Sequence, residues 1–406
     1  MEKREKVLVL SGIILVGFVI GVIYHYFLAY YIGFGTKYNS FLYPPYAAFC
    51  DFAGALPYLR DFMPYKQPTL WIVYFPFTYI LIYPFVMIKK IFLSYSIFIS
   101  IFLAYLTYMN IKNFSCENLT KLQNFQNIFI LTIVSYPVLY ILDKGNLDML
   151  LFIFFGLFAY SFKKEKYLLS SVFLAMLNAM KPFTWLFLFL FLFKKKYKEF
   201  FLSIILTVLL TIGSFMAFKG GFFEQLSILF KSFAMFKIIY VYQNANDYGM
   251  GFGSSLFMPL KLVLCKLTAE PLVSLELFAK IYNFLCLPIT IVTMFFVWKE
   301  ESYWKKFTLL TCNFLLLPYI IFDYKFVFLF VPIWFFVNAE KKSRFDLIYT
   351  LLFALLFIPK NIIITLPYVS NTATTWFSLS IIINPIIMIL LSLLIVYEQI
   401  RNKEGV

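Results

Sequence analysis

Soft metal ligands are scarce in this chain. It holds one histidine, His25, and five cysteines, at 50, 116, 265, 286 and 312, with no CxxC spacing among them. Neither a His/Cys metal site nor a disulfide framework is supported by so few and so scattered donors. Charge is scarce too. Only 14% of residues are Asp, Glu, Lys or Arg, against roughly a quarter in soluble domains. A soluble fold with 62% hydrophobic residues and a mean hydropathy of +0.85 would have far more apolar surface than it could bury. No internal repeat and no polar stretch long enough for a soluble domain is present. Acidic pairs able to hold a divalent ion are sparse, so no metal and no other cofactor is expected.

What is present is a series of long apolar runs, such as residues 183–193 and 381–396, whose continuity excludes the alternating pattern of a membrane β-barrel. The expected fold class is therefore an all-α polytopic membrane protein, one integral-membrane domain over residues 1–406. The formal net charge of +15 sits mostly in short clusters between those runs: Lys3, Arg4 and Lys6; Lys163, Lys164 and Lys166; Lys194 to Lys196 with Lys198; Lys341, Lys342 and Arg344. That is the positive-inside pattern rather than a nucleic-acid surface. Residues 7–31 are too long for a cleaved signal core and read as a retained anchor. Following the clusters inward and the remaining loops outward gives about twelve spans, within a range of about 10–13. Residues 167–193, bounded by cations at both ends, read as two short helices meeting outside near Lys181-Pro182. Residues 69–88, broken by Pro76 and Pro84, read as a segment at or dipping into the outer surface.

The stretch 49–85 is the least like a plain span. It carries Asp51, Asp61, Arg60, Lys66, five prolines and many aromatics, and the first outside loop, about residues 32–69, is expected to be its working part. The costly polar residues assigned to that one side come from separate loops: Asp51, Arg60, Asp61 and Lys66; Asp143, Lys144 and Asn146; Lys181; Asn244 and Asp247; Asp323 and Lys325. Taken singly, each is the kind of residue that ends a loop in water. Lys181 and the corners at 143–146 and 323–325 lie within a few residues of apolar helix on both sides, where a charge needs a partner. Cations with a carboxylate suit an anionic lipid phosphate beside a hydroxyl nucleophile: lysine binds phosphate as a point charge, and the carboxylate takes the hydroxyl proton. Tyr58, Tyr65 and Tyr74 are candidates for stacking on a sugar. A transporter or flippase of an anionic lipid or small solute is the alternative; it would place charge along a path through the bilayer, usually between repeated halves.

The order of these signals resembles the GT-C superfamily of polyprenyl-phosphate-sugar-dependent glycosyltransferases, most of all glycosyltransferase family 87 and the mannosyltransferases of glycosylphosphatidylinositol precursors. The likeness runs over roughly residues 45–335. It is carried by Asp51-Phe-Ala-Gly-Ala-Leu with Pro64-Tyr65, Tyr74-Phe75-Pro76-Phe77, Lys144-Gly145-Asn146-Leu147-Asp148, Lys181-Pro182, the Asn-rich residues 243–255 and Asp323-Tyr324-Lys325. Two positions depart from the pattern: Phe49 stands where a second acid is common, and Lys144-Gly145 where Gly-Gln is. The resemblance implies a GT-C-like bundle with short extracytoplasmic loops and surface helices. It implies an enzyme that moves a mannose-like hexose from a polyprenyl phosphate to a lipid or glycan acceptor, with inversion. The active site would face the extracytoplasmic side of the plasma (inner) membrane, in cell-envelope glycolipid assembly. Asp51 would be the general base, with Asp61 as the other candidate. Asp61, Arg60, Lys66, Tyr65, Lys144, Asn146, Lys181, Asn244, Asp247, Asp323 and Lys325 would bind substrate.

Overall fold

The computed structural model describes residues 1–28, 48–69, 73–242, 253–267, 271–365 and 376–401. The protein is an all-α polytopic membrane protein; the strands among the described residues are Ile363–Thr365 and Trp376–Ser378, paired antiparallel with Ile364 opposite Phe377. Among the described residues, five helices are long and apolar enough to cross a bilayer unaided: Lys3–Phe27, Ile91–Phe114, Tyr197–Ala217, Leu275–Lys299 and Ser380–Arg401. A sixth candidate is the pair Lys121–Val134 and Tyr136–Lys144, bent by 46°. Pro76–Val86, Tyr167–Met180, Pro182–Phe193 and Asp346–Leu356 are apolar but shorter. At 1.5 Å per residue, the 14 residues of Tyr167–Met180 reach about 21 Å, short of a hydrocarbon core of about 30 Å. The wider range of about 10–13 spans depends on counting such helices, which fit a membrane only where protein shields their ends.

The chain groups into two compact units. The first comprises Met1–Tyr46, Leu106–Asp143 and Tyr240–Val406. Its core is the pair Tyr303–Leu316 and Phe330–Val337; the second is buried at every position, so its polar partners must lie inside. Trp334 Nε1 donates to Asn110 Oδ1 at 2.8 Å, and Asn110 Nδ2 donates to Thr132 Oγ1 at 2.9 Å. The helix Lys3–Ile23 lies along this core. Gly17 and Gly21, one turn apart, leave a notch filled by Ile358 and Pro359; a Cβ at either glycine would overlap those side chains. Lys6 and Asp346 form a buried ion pair at 3.1 Å, and Lys305 pairs with Glu398 at 3.0 Å, to which Tyr349 also donates.

The second unit comprises Ala47–Tyr105 and Lys144–Ile239. Asp148–Lys163, Tyr167–Met180, Pro182–Phe193 and Tyr197–Ala217 follow one another through tight turns. Two of the turns are the lysine clusters. At the end of Asp148–Lys163, Glu165 takes a left-handed φ of 59°, Glu165 N–H bonds Phe162 O, and Lys166 N–H bonds Ser161 O. The end of Phe189–Phe193 repeats this with Lys195. These are the paired bonds that close a helix C-terminus, and lysines there meet the negative end of the helix dipole. Aromatic edges and faces fill the interior, with Phe155, Phe158, Phe162, Phe187 and Phe191 in mutual contact. Lys181 ends one helix in an extended conformation and Pro182 opens the next, so the expected pair of short helices meeting at that corner is present.

Candidate functional site

Four separate pieces of the second unit bring polar side chains to one place. The first is the helix Cys50–Arg60, which carries Asp51 in its first turn, where the exposed N–H groups and the dipole favour a carboxylate. Phe49 and Phe52 anchor this end by packing on Tyr95 and Phe98. The second piece is the Gly145-Asn146 corner. Gly145 sits at φ +67°, and a Cβ there would lie 3.0 Å from Phe49 Cα and 3.2 Å from Phe52 Cβ. The absent side chain is what lets the corner approach the start of the Asp51 helix.

Asn146 joins the pieces. Its Nδ2 donates to Asp51 Oδ2, and its Oδ1 accepts from the Asp148 backbone N–H at 2.9 Å. The second bond is an Asx turn that also satisfies the N–H of the first residue of the helix Asp148–Lys163. From the third piece, Tyr74 reaches in with its hydroxyl 2.9 Å from Asn146 Oδ1 and 3.0 Å from Asp148 Oδ1. From the fourth, Lys181 Nζ donates to Asp148 Oδ1 at 2.7 Å and stands 4.0 Å from the centre of the Tyr74 ring. Asp148 is fully buried and Asn146 nearly so, while Asp51 is half-buried. The outermost carboxylate of the cluster is therefore Asp51, backed by an amide and, one layer further in, by an ion pair.

The other residues singled out in the sequence lie as follows. Tyr65 is fully buried; its hydroxyl donates to the Tyr74 carbonyl at 2.7 Å, and the Tyr74 backbone N–H donates to the Tyr79 hydroxyl at 3.1 Å. Tyr65 thus supports Tyr74 from behind. Lys144 is buried beside Gly145. Arg60 and Asp61 are exposed at the far end of the Asp51 helix, about 15 Å along its axis from Asp51. Asp61 pairs with Lys66 at 3.4 Å in an exposed contact. Asn244 and Asp247 lie outside the described residues. Sequence reasoning left Asp148 without a role, although the Gly-Asn-x-Asp corner contains it; an acid two residues after an Asn at a helix start was the available signal.

Asp323 and Lys325 belong to the first unit and are both buried there. Asp323 accepts from Ser254 Oγ, from Asn384 Nδ2 at 3.1 Å and from Asn361 Nδ2 at 3.4 Å. Burial pushes its carboxyl above the ordinary carboxylate range, against those donors and the positive charge of Lys360. Burial likewise pulls the Lys360 ammonium down, and Asp323 opposes the shift. Lys360 also donates to the carbonyls of Leu355 and Ile358. Among the described residues, no group of three or more His, Cys, Asp or Glu is arranged to hold a metal ion.

No curated protein and no solved structure matches this sequence. The sequence model of glycosyltransferase family 87 matches residues 71–319, more than half of the chain. The match takes in Tyr74, Asn146, Asp148 and Lys181; Asp51 precedes it and Asp323 follows it. With its apolar helices and this match, the chain belongs to glycosyltransferase family 87 and is a multi-pass membrane enzyme that transfers sugars.

Proposed function

We propose that the enzyme moves a mannose-like hexose from a polyprenyl-phosphate donor to an acceptor hydroxyl, with Asp51 as general base and inversion at the sugar. The acceptor is a lipid or glycan of the cell envelope. The reaction takes place at the extracytoplasmic face of the plasma (inner) membrane. One observation carries this reading. The Asp51 carboxylate, half-buried and held by an amide, belongs to one hydrogen-bonded cluster with the Lys181 ammonium. The three corners that supply Asp51, Asn146 and Lys181 are each assigned to the same side by the charge pattern, and their meeting supports that assignment.

The chemistry follows from those groups. The acceptor oxygen attacks the anomeric carbon from the face opposite the phosphate, and its proton passes to Asp51. The bond to the phosphate oxygen breaks, and polyprenyl phosphate leaves with one more negative charge than it carried as an ester. Cations near the leaving oxygen lower the barrier because the charge develops in the transition state. Lys181 has two ammonium hydrogens beyond the one given to Asp148, and Lys144, a buried lysine of the same unit, is the further cation suited to phosphate. Asp61 is less suited as base: it is exposed, already paired with Lys66 and at the opposite end of the helix.

The test compares Asp51→Asn with Asp61→Asn in purified enzyme supplied with polyprenyl-phosphate mannose and an acceptor. Sugar transfer and release of polyprenyl phosphate should both vanish in the first variant and stay within about threefold of wild type in the second. Near-normal transfer by Asp51→Asn would remove Asp51 from the mechanism.

A further inference from the structure

We propose that Asn146 is the positioning residue of Asp51, and that Asp148 fixes the way it faces. This inference rests on Asp51 being the base. An asparagine amide has an acceptor end and a donor end, and only the surrounding groups decide which faces where. Here the surroundings allow one orientation. The Asp148 backbone N–H lies 2.9 Å from Oδ1 and can only donate. On the other side stands the Asp51 carboxylate, which when ionised can only accept. Turning the amide over would set NH2 against N–H and oxygen against carboxylate at once. The Tyr74 hydroxyl, shared between Asn146 Oδ1 and Asp148 Oδ1, favours the same orientation.

The anchor of this arrangement is deeply placed. Asp148 is fully buried, and Lys181 holds its carboxylate at 2.7 Å while covering the Tyr74 ring. Asp148 therefore ties together the backbone that orients Asn146, the tyrosine that shares the load and the lysine proposed for the phosphate. The helix Asp148–Lys163 begins at this residue, so its position is set by a rigid element rather than by a loop. Asn146 in turn occupies one oxygen of Asp51. With Oδ2 pinned, Oδ1 keeps a fixed direction and, among the described residues, is engaged only by the weak, long donation of the Cys50 thiol at 3.6 Å, which a bound hydroxyl can displace.

Asn146→Asp is the informative substitution. It keeps the inward oxygen for the Asp148 N–H and Tyr74, and it replaces the outward donor with an acceptor facing Asp51. Full-length wild type, Asn146→Asp, Asn146→Leu and Asp51→Asn are to be purified and assayed with polyprenyl-phosphate mannose and an alkyl mannoside. Loss of a charge-assisted hydrogen bond predicts a kcat lower by about 30- to 100-fold in both Asn146 variants, with KM for the donor within about threefold. A purely structural role would lower the yield and the unfolding midpoint and leave kcat per folded molecule unchanged. If Asp51→Asn is inactive and Asn146→Asp keeps kcat within about threefold of wild type, the positioning role is overturned and the base stands. If Asp51→Asn transfers sugar normally, the base falls and the positioning role falls with it.

Discussion

Replacing Asp148 with asparagine removes one charge from the cluster and almost nothing else. The new side chain has the same shape, can still accept from Tyr74, and leaves the backbone N–H on Asn146. What disappears is the countercharge of Lys181, whose side chain is only 14% exposed. At 2.7 Å and an effective dielectric constant near 20, the gross attraction is about 6 kcal/mol, most of it offset by desolvation of the two ions. Removing one partner of such a pair costs about 3–5 kcal/mol, because the other charge stays behind. The Tyr74 ring, 4.0 Å from the ammonium, retains part of the stabilisation, which places the expected loss for Asp148→Asn near the lower end, about 3 kcal/mol. Deleting both charges in Asp148→Asn with Lys181→Met should recover more than half of that loss. Unfolding of purified protein in mixed micelles with rising denaturing detergent, followed by tryptophan fluorescence, gives the four corners of the cycle. A wild-type midpoint for Asp148→Asn, or a double variant that loses the sum of the two single losses, would refute the reasoning.

Three further outcomes can be checked. Gly145→Ala places a Cβ in the left-handed region and against the Phe49 backbone; stability should fall by about 1–2 kcal/mol, and transfer by about tenfold or more as Asp51 moves off Asn146. Activity assays on folded protein decide this, and unchanged transfer would count against the contact. In the first unit, Asp323 is pushed up to about 6 and Lys360 is pulled down to about 7. Between the ordinary carboxylate value and about 6, the folded state keeps a proton that the unfolded chain releases, so this pair's contribution to stability falls as pH rises. Between about 7 and the ordinary lysine value, the unfolded chain holds a proton that the folded state lacks, so the contribution climbs. The difference in midpoint between wild type and Asp323→Asn with Lys360→Met should therefore be least favourable to wild type between about 6 and 7, and a maximum there would contradict it. Lys66→Ala, which breaks an exposed pair, should change stability by less than about 0.5 kcal/mol in the same assay.

The membrane class and several corners could be read from the residues alone. Lys181-Pro182 announced its bend because proline cannot continue the preceding helix and a lysine between apolar runs needs a partner. The Gly-Asn corner announced a helix start for similarly local reasons. The identity of the partner was not local. Asp148 and Lys181 are 33 positions apart, and no periodicity in one sequence pairs them. Tyr65 shows the opposite limit: its type and place suited a sugar, but its hydroxyl holds the Tyr74 carbonyl. The span count was hardest, because length alone does not say whether a 14-residue helix such as Tyr167–Met180 is shielded at its ends.

The notch at Gly17 and Gly21 bears on how the protein can be engineered. An unrelated hydrophobic segment with leucines at those two positions would insert into a bilayer just as readily. It could not close over Ile358 and Pro359, which lead directly to Lys360 and the carboxylate it faces. The helix Lys3–Phe27 is therefore both an apolar span and half of a fitted joint, and swapping it for a generic apolar span would keep the first and forfeit the second.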